Sequence, residues 1–377
     1  MSVKLKDIVK ETGLSMSTVS NVLNGRPGFS ASTQQRVHQV ARELGYMPNH
    51  LSRALAGGAS MSIGLMGVTL KTPVRLVQIR QIEKLAKADN YHIYLVANEG
   101  LMSEADLQQT IEDLLARRVD GLIICDLLQL PEPVMDTLKN CGKPVVFMEY
   151  LPQDVSFGVK MDNTQAVRDA MTHLRELGHK SVFYLGARFD QLVPQLKLDL
   201  YRQEAAFAGL ELIESPAWYL EACGVRDDFS GAAYELTRQV LQYVRPSAIA
   251  CISDETAIGA ISAIVQAGLS VPGDISVIGF DDWQISRFIN PALTTISQPV
   301  QQSGQLAYEI LSGLFKHPDT PQDIRRLDCR FVPRASTGPA SPQATSASNL
   351  KKSLQSHQPI RIGQATQSSG YDHEQAT

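Results

Sequence analysis

The spacing of apolar residues changes along this chain, and the changes divide it. Up to about residue 45 they recur at three and four positions, the period of short amphipathic helices. Ile8 and Val9 point inward from a helix over about Lys6–Thr12, which Gly13 ends. Ser15 is placed to cap a second helix, about Met16–Leu23, because its hydroxyl can accept a backbone N–H of the first turn. Val19, Val22 and Leu23 give that helix its apolar stripe, and the other face offers Met16, Ser17, Ser20 and Asn21, all uncharged. A third helix from Ser30 or Ser32 to Leu44 buries Val37, Val40, Ala41 and Leu44. Two helices joined by a turn of about three residues and backed by a third make a helix-turn-helix. After Pro48-Asn49, His50 to Gly57 spans at most two turns, too short to stand alone in water, and Gly57-Gly58 loosens the chain.

From Ser62 the pattern becomes buried strands alternating with amphipathic helices. SIGLMGVTL, YHIYLVAN, DGLIICD and PVVFMEY read as strands with helices between them, and SVFYLGA, WYLEA, AIACIS and ISVIGFDD continue the alternation. Such runs predict parallel sheets covered on both faces, here two successive doubly wound units with a cleft between them. Ligands sit at the carboxyl ends of such strands, which carry Asp126, Glu149, Ser253-Asp254 and Asp281-Asp282. After LDCRFVPRAST the chain is rich in Ser, Gln, Ala and Thr, which predicts disorder from about Gly338. The expected division is 1–47 head, 48–60 hinge helix and linker, 61–337 two-lobed body and 338–377 disordered tail.

Charge sharpens this division. The net charge is −4 over 377 residues, yet residues 1–59 carry seven Lys/Arg against three Asp/Glu, leaving an acidic remainder. A basic module on an acidic body is the footprint of a DNA-binding head whose body stays off the phosphates. The five cysteines (Cys125, Cys141, Cys223, Cys251, Cys329) form no CxxC pair, so neither zinc nor a disulfide framework is expected. With no long apolar run and no secretory h-region, the expected location is the cytoplasm, at the bacterial nucleoid.

Many ordered fragments together support a resemblance: KLKDIVKETGLSMSTVSNVLNG, STQQRVHQVARELGYMPN, SRALAGG, VDGLIIC, HLRELGHKSVFYLG, SDETAIGA, GLSVPGDISVIGFDD, PALTTISQP and FVPRAST. Over about residues 3–337 the chain resembles the LacI/GalR family of bacterial transcription regulators. The resemblance implies a helix-turn-helix head on a periplasmic-binding-protein-like α/β body, acting as a homodimer on a palindromic operator. Met16, Ser17 and Asn21 would read bases, with Ser15, Ser20 and Asn24 nearer the phosphates. Leu55, beside Ala56, would wedge into the minor groove from a hinge helix that folds on DNA. A small-molecule effector, a sugar or related metabolite, would meet Glu149, Tyr150, Ser253 and Asp281.

Departures from the family pattern leave the effector class open. Thr72-Pro73-Val74-Arg75 replaces an aromatic platform with the cation Arg75, and Glu149 replaces a shorter Asp. The family's ligand arginine aligns with Asp199 by one route and with Arg202 by helix pattern, the second being preferred. Arg75 and Arg202 opposite Glu149 and Asp281 would suit an anionic or zwitterionic ligand as well as a neutral sugar. No GxGxxG, GxSxG, P-loop or HExxH occurs, so neither enzyme nor cofactor is expected. The isolated His92, His173 and His179 read as surface or strand-edge residues. The rival readings are a regulator with a decayed pocket or one answering to a partner protein and, more remotely, a secreted solute-binding protein.

Overall fold

The computed structural model describes residues 3–23, 27–46, 59–68, 70, 72–97, 103–125, 130–186, 192–215, 228–357 and 359. The hinge residues Leu55 and Ala56, with Asn24, Asp126 and the WYLEA segment, lie outside them.

The head is three helices, α1 (Leu5–Thr12), α2 (Met16–Leu23) and α3 (Ala31–Glu43). Gly13 takes the left-handed conformation that ends α1, its N–H donating to the Val9 carbonyl. Ser30 caps α3 by accepting the Thr33 N–H at 3.2 Å. Ile8, Val19, Val22, Val37 and Ala41 close a small separate core.

The body has two parallel sheets. The first lobe's six-stranded sheet runs β11-β5-β4-β3-β1-β2, from β1 (Ser62–Val68), β2 (His92–Ala97), β3 (Gly121–Cys125), β4 (Val145–Glu149), β5 (Phe157–Asp162) and β11 (Asp323–Asp328). Helices α4 (Pro73–Ala88), α5 (Glu104–Ala116) and α6 (Glu132–Asn140) connect its early strands. The second lobe's sheet runs β7-β6-β8-β9, from β6 (Ser181–Leu185), β7 (Glu211–Ile213), β8 (Ala248–Cys251) and β9 (Ser276–Ile278). Its helices are α7 (Thr164–Glu176), α8 (Leu192–Ala208), α9 (Phe229–Val240) and α10 (Asp254–Gln266).

The lobes are not simply successive. After the second sheet, α11 (Val300–Lys316) packs on α4, and β11 pairs with β5 in the first sheet. The backbones of α4 and α11 come close at Gly304, where a Cβ would stand 2.8 Å from the Gln78 carbonyl oxygen. The short antiparallel pair β10 (Thr295–Ser297) and β12 (Arg330–Val332) accompanies the crossings. The chain therefore passes between the lobes three times, near Asp162, near Gln298 and near Cys329.

Disorder from Gly338 does not hold for residues 338–357. The Thr345 N–H donates to the Arg245 carbonyl, and α12 (Ala347–Ser356) docks on the second lobe. Leu350 and Leu354 are completely or almost completely buried in the cluster that includes Ile213, Leu236 and Val240. Two leucines one turn apart make no oligomerising heptad, but they suffice to close a gap on an existing apolar surface, each contributing roughly 1.5–3 kcal/mol. Lys351 adds an ion pair to Glu211 on β7 at 2.6 Å. His179 is also not at the surface: it is 1% exposed and its Nε2 lies 3.1 Å from the Gly338 carbonyl, tying this strap down.

Candidate nucleic-acid interface and ligand cleft

The outward face of the head is α2. Ser15 caps it by accepting the Thr18 N–H at 3.1 Å, and its hydroxyl lies 2.9 Å from that of Ser17. Because Val19 and Val22 are fixed in the core, the rotation of the helix is set. Met16 (48% exposed) and Ser17 then face solvent, with Ser20 and Asn21 half-buried beside them. Such a face can exchange hydrogen bonds with base edges through a hydroxyl and an amide, and lay a thioether on a thymine methyl.

The cleft lies at the carboxyl ends of both sheets. Glu149 is the last residue of β4, on left-handed backbone (φ 72°), and is 3% exposed. Arg75, in the first turn of α4, forms an ion pair with it. The buried Gln78 donates to the same carboxylate at 2.9 Å and to Ser303 Oγ at 3.3 Å, and accepts from Arg75 at 3.0 Å. Across the cleft Asp281 also has positive φ (110°), a strained placement of the kind that collects at functional sites. Gln298, at a lobe crossing, donates to its carboxylate at 2.5 Å. Burial pushes the Asp281 carboxyl up; Lys197, Arg75 and the Gln298 hydrogen bond pull it back, and Glu149 adds to the rise. Groups of both lobes therefore act on one carboxyl. A groove of about 780 Å³ continues from Asp281 and Gln298 outward past Pro73, Val77 and Trp283.

Two neighbours of this site do different work. The Ser253 hydroxyl caps α10, accepting the Thr256 N–H at 3.2 Å, and so borders the cleft as a helix cap. Asp254 is fully buried and accepts from Thr295 (2.5 Å), Ser286 (2.7 Å) and the Trp283 N–H (2.7 Å). Burial outweighs these bonds and pushes its carboxyl up to about 7. Tyr150 follows Glu149 and is half-buried.

Arg202 stands elsewhere than expected. Its guanidinium is engaged by Glu214 at 2.7 and 2.8 Å and by Asp199 at 2.7 Å, and its side chain is 41% exposed. The cation of α8 that acts on Asp281 is Lys197, which the sequence reading passed over. Its ammonium lies 3.9 Å over the Phe280 ring and 3.4 Å from the Ile252 carbonyl. The available signal was helical spacing: α8 begins at Leu192, so Lys197, Tyr201 and Ala205 share one face, and the last two are fully buried.

The chain is 30% identical to the ribose operon repressor of Escherichia coli (strain K12) over 336 residues, 88% of this chain and 99% of that protein. It belongs to the LacI family of bacterial regulatory proteins. The LacI-family model matches residues 4–49, and a model of the periplasmic binding protein-like domain matches residues 171–337. The HTH-type transcriptional repressor PurR of Aliivibrio fischeri (strain MJ11) is also 30% identical, over 88% of this chain and 97% of its own length. Among solved structures, the lac repressor dimer bound to operator and the anti-inducer ONPF aligns with a TM-score of 0.75 at 25% identity, over 90% of this chain and all of that one. As a LacI-family protein the chain is a DNA-binding transcriptional regulator with a ligand-binding body. The strap and α12 begin just beyond the matched residues.

Proposed function

We propose that this protein is a ligand-responsive transcriptional repressor that binds a palindromic operator as a homodimer, with a sugar or related metabolite in the cleft controlling its affinity. Met16, Ser17 and Asn21 read bases, and Ser15, Ser20 and Asn24 meet the backbone. Leu55 and Ala56 enter the minor groove. On the effector side Arg75, Glu149, Tyr150, Ser253 and Asp281 face the ligand, and Lys197 takes the part first given to Arg202. The observation that carries the reading is geometric: each lobe brings a carboxylate to a strand end on positive-φ backbone, Glu149 held by Arg75 and Gln78 and Asp281 held by Gln298. A ligand bridging these groups changes the balance between open and closed lobes, and with it the spacing of the two heads.

The test is operator binding by fluorescence anisotropy, on a site selected from a random DNA pool. Log affinity is expected to fall linearly with log salt, and a cognate ligand to change affinity by about 5- to 150-fold. An affinity indifferent to salt overturns the DNA reading. A second reading, a regulator whose cleft is filled by its own side chains, is favoured by the Arg75–Gln78–Glu149 network. Operator binding that no sugar, sugar acid or nucleoside alters decides for it.

A further inference from the structure

Helix α11 meets the cleft at one end and the start of the body's first strand at the other. Just ahead of its first residue, Gln298 donates to the Asp281 carboxylate. In its first turn the fully buried Ser303 accepts from Gln78 at 3.3 Å, and Gln78 also donates to Glu149. Further on, Tyr308 donates to Asp89 at 2.9 Å, just past the end of α4. At the far end Leu311 and Phe315 press on Gly121, the first residue of β3. A Cβ there would stand 2.7 and 3.0 Å from their side chains. The helix thus runs from the carboxyl ends of the first lobe's strands to their amino ends, about 25 Å at 1.5 Å per residue.

Those amino ends are where the chain enters the body. Asp120, directly before Gly121, accepts the Ser60 N–H at 3.0 Å on one carboxylate oxygen and the Met61 N–H at 2.9 Å on the other. Its own N–H donates to the Ser62 carbonyl at 2.7 Å. Met61 is held in left-handed backbone (φ 53°), which a non-glycine residue keeps only where its surroundings impose it. A second contact leads to the same residue. Phe315 stacks on Tyr91 at 5.0 Å between centroids, and the N–H of the adjacent His92 donates to the Met61 carbonyl at 2.8 Å. Both routes start at Phe315 and end on Met61. None of the groups assigned to DNA or ligand takes part in this clamp.

We propose that α11 relays the state of the cleft to the linker, with Phe315 and Asp120 as positioning residues that set the direction in which the chain leaves the body for the head. This rests on the reading of the head as operator-binding and of the cleft as its control. When the bonds of Gln298 or Ser303 change, the first turn of α11 shifts. Its last turn, packed on Gly121 and Tyr91, carries that shift to the clamp through contiguous contacts.

The test needs no ligand. Gln298→Ala alters the cleft end and Asp120→Asn the linker end, and fluorescence anisotropy on the full-length protein gives operator affinity for each and for the pair. Sites this far apart ordinarily combine to within about twofold; here the double variant should depart from the product of the singles by at least about threefold. In a Phe315→Leu background the departure should shrink to within about twofold. Hydrogen exchange supplies a second readout. In Gln298→Ala the Ser60 and Met61 amides should exchange about tenfold faster, while those of α5, on another part of the first lobe, keep their rates. Independent combination of the two substitutions overturns the proposal, as does a departure that Phe315→Leu leaves intact. So do Ser60 and Met61 amides at their parental rate, or α5 amides that quicken equally, which would mean a general loss of stability. If Asp120→Asn does not fold, the exchange experiment, which leaves residue 120 unaltered, still decides. A cleft that takes no ligand changes neither result, whereas a parent that binds no operator refutes the DNA reading and leaves exchange to judge the relay.

Discussion

On α2 the side chains proposed to read DNA stand at or near the surface, whereas across the body Gln78 and Glu149 are buried and bonded to each other and to the partly covered Arg75. On that face Ser15 shares hydroxyl contacts with Ser17 and Thr18 at the exposed start of α2. In the cleft, a ligand meeting Glu149 as proposed would have to displace part of the Arg75–Gln78 network. On the proposed reading the difference teaches where control belongs: a ligand would have to rearrange bonds in the cleft, not on α2.

The strongest way to break this contrast is Arg75→Ala. It leaves the Glu149 carboxylate buried without its cation, and unfolding in urea should show a loss of about 3–5 kcal/mol. Glu149→Gln combined with Arg75→Ala should recover much of that loss. Denaturant curves that leave Arg75→Ala as stable as the parent would mean the pair is not what closes the cleft.

A smaller effect comes from Asp254. Its folded carboxyl holds its proton to about pH 7, against an ordinary value of 3.8, so between those limits the folded state binds more protons than the unfolded one. Its contribution to stability is therefore largest in acid and falls as pH rises to about 7, by on the order of a few kcal/mol. Melting temperatures of Asp254→Asn across this range should show a flatter dependence than the parent; parallel curves would refute the assignment.

On the head the expected effects are on choice of sequence. Asn21→Ala should relax selection at one base pair per half-site, about 1–3 kcal/mol of discrimination, with little change in melting. A randomised-site selection with unchanged preference would exclude Asn21 as a reader. Smallest is Ser15→Ala, which removes the α2 cap and should cost the head about 1 kcal/mol, measured as thermal stability.

The same contrast governs what could be read from sequence. The head was legible almost to the residue, because its three helices depend on local spacing and caps: Ser15, Gly13 and the Val19/Val22 stripe all act within one turn. The alternation of strands and helices gave two parallel sheets. It could not give their membership, because α11 and β11 return to the first lobe by long-range pairing with no local signature. β5 escaped notice since FGVKMD interrupts its apolar run with Gly158 and Lys160. The tail looked unstructured because α12 draws its stability from a surface made by other elements. At the cleft, Glu149 and Asp281 were legible as carboxylates at strand ends, while Lys197 was not, because its place on the buried face of α8 depends on the helix starting as early as Leu192.

The three lobe crossings bear on how the molecule is made as well as how it moves. The first sheet lacks β11 and its covering helix α11 until residues 300–328 have been synthesised, and the second lobe's core lacks Leu350 and Leu354 until later still. Only the head, with its separate core, can be finished while the ribosome is still building the body. Each nascent chain thus presents a completed DNA-reading module well before it owns a cleft, and any product cut short before residue 300 keeps the reader without the part that governs it.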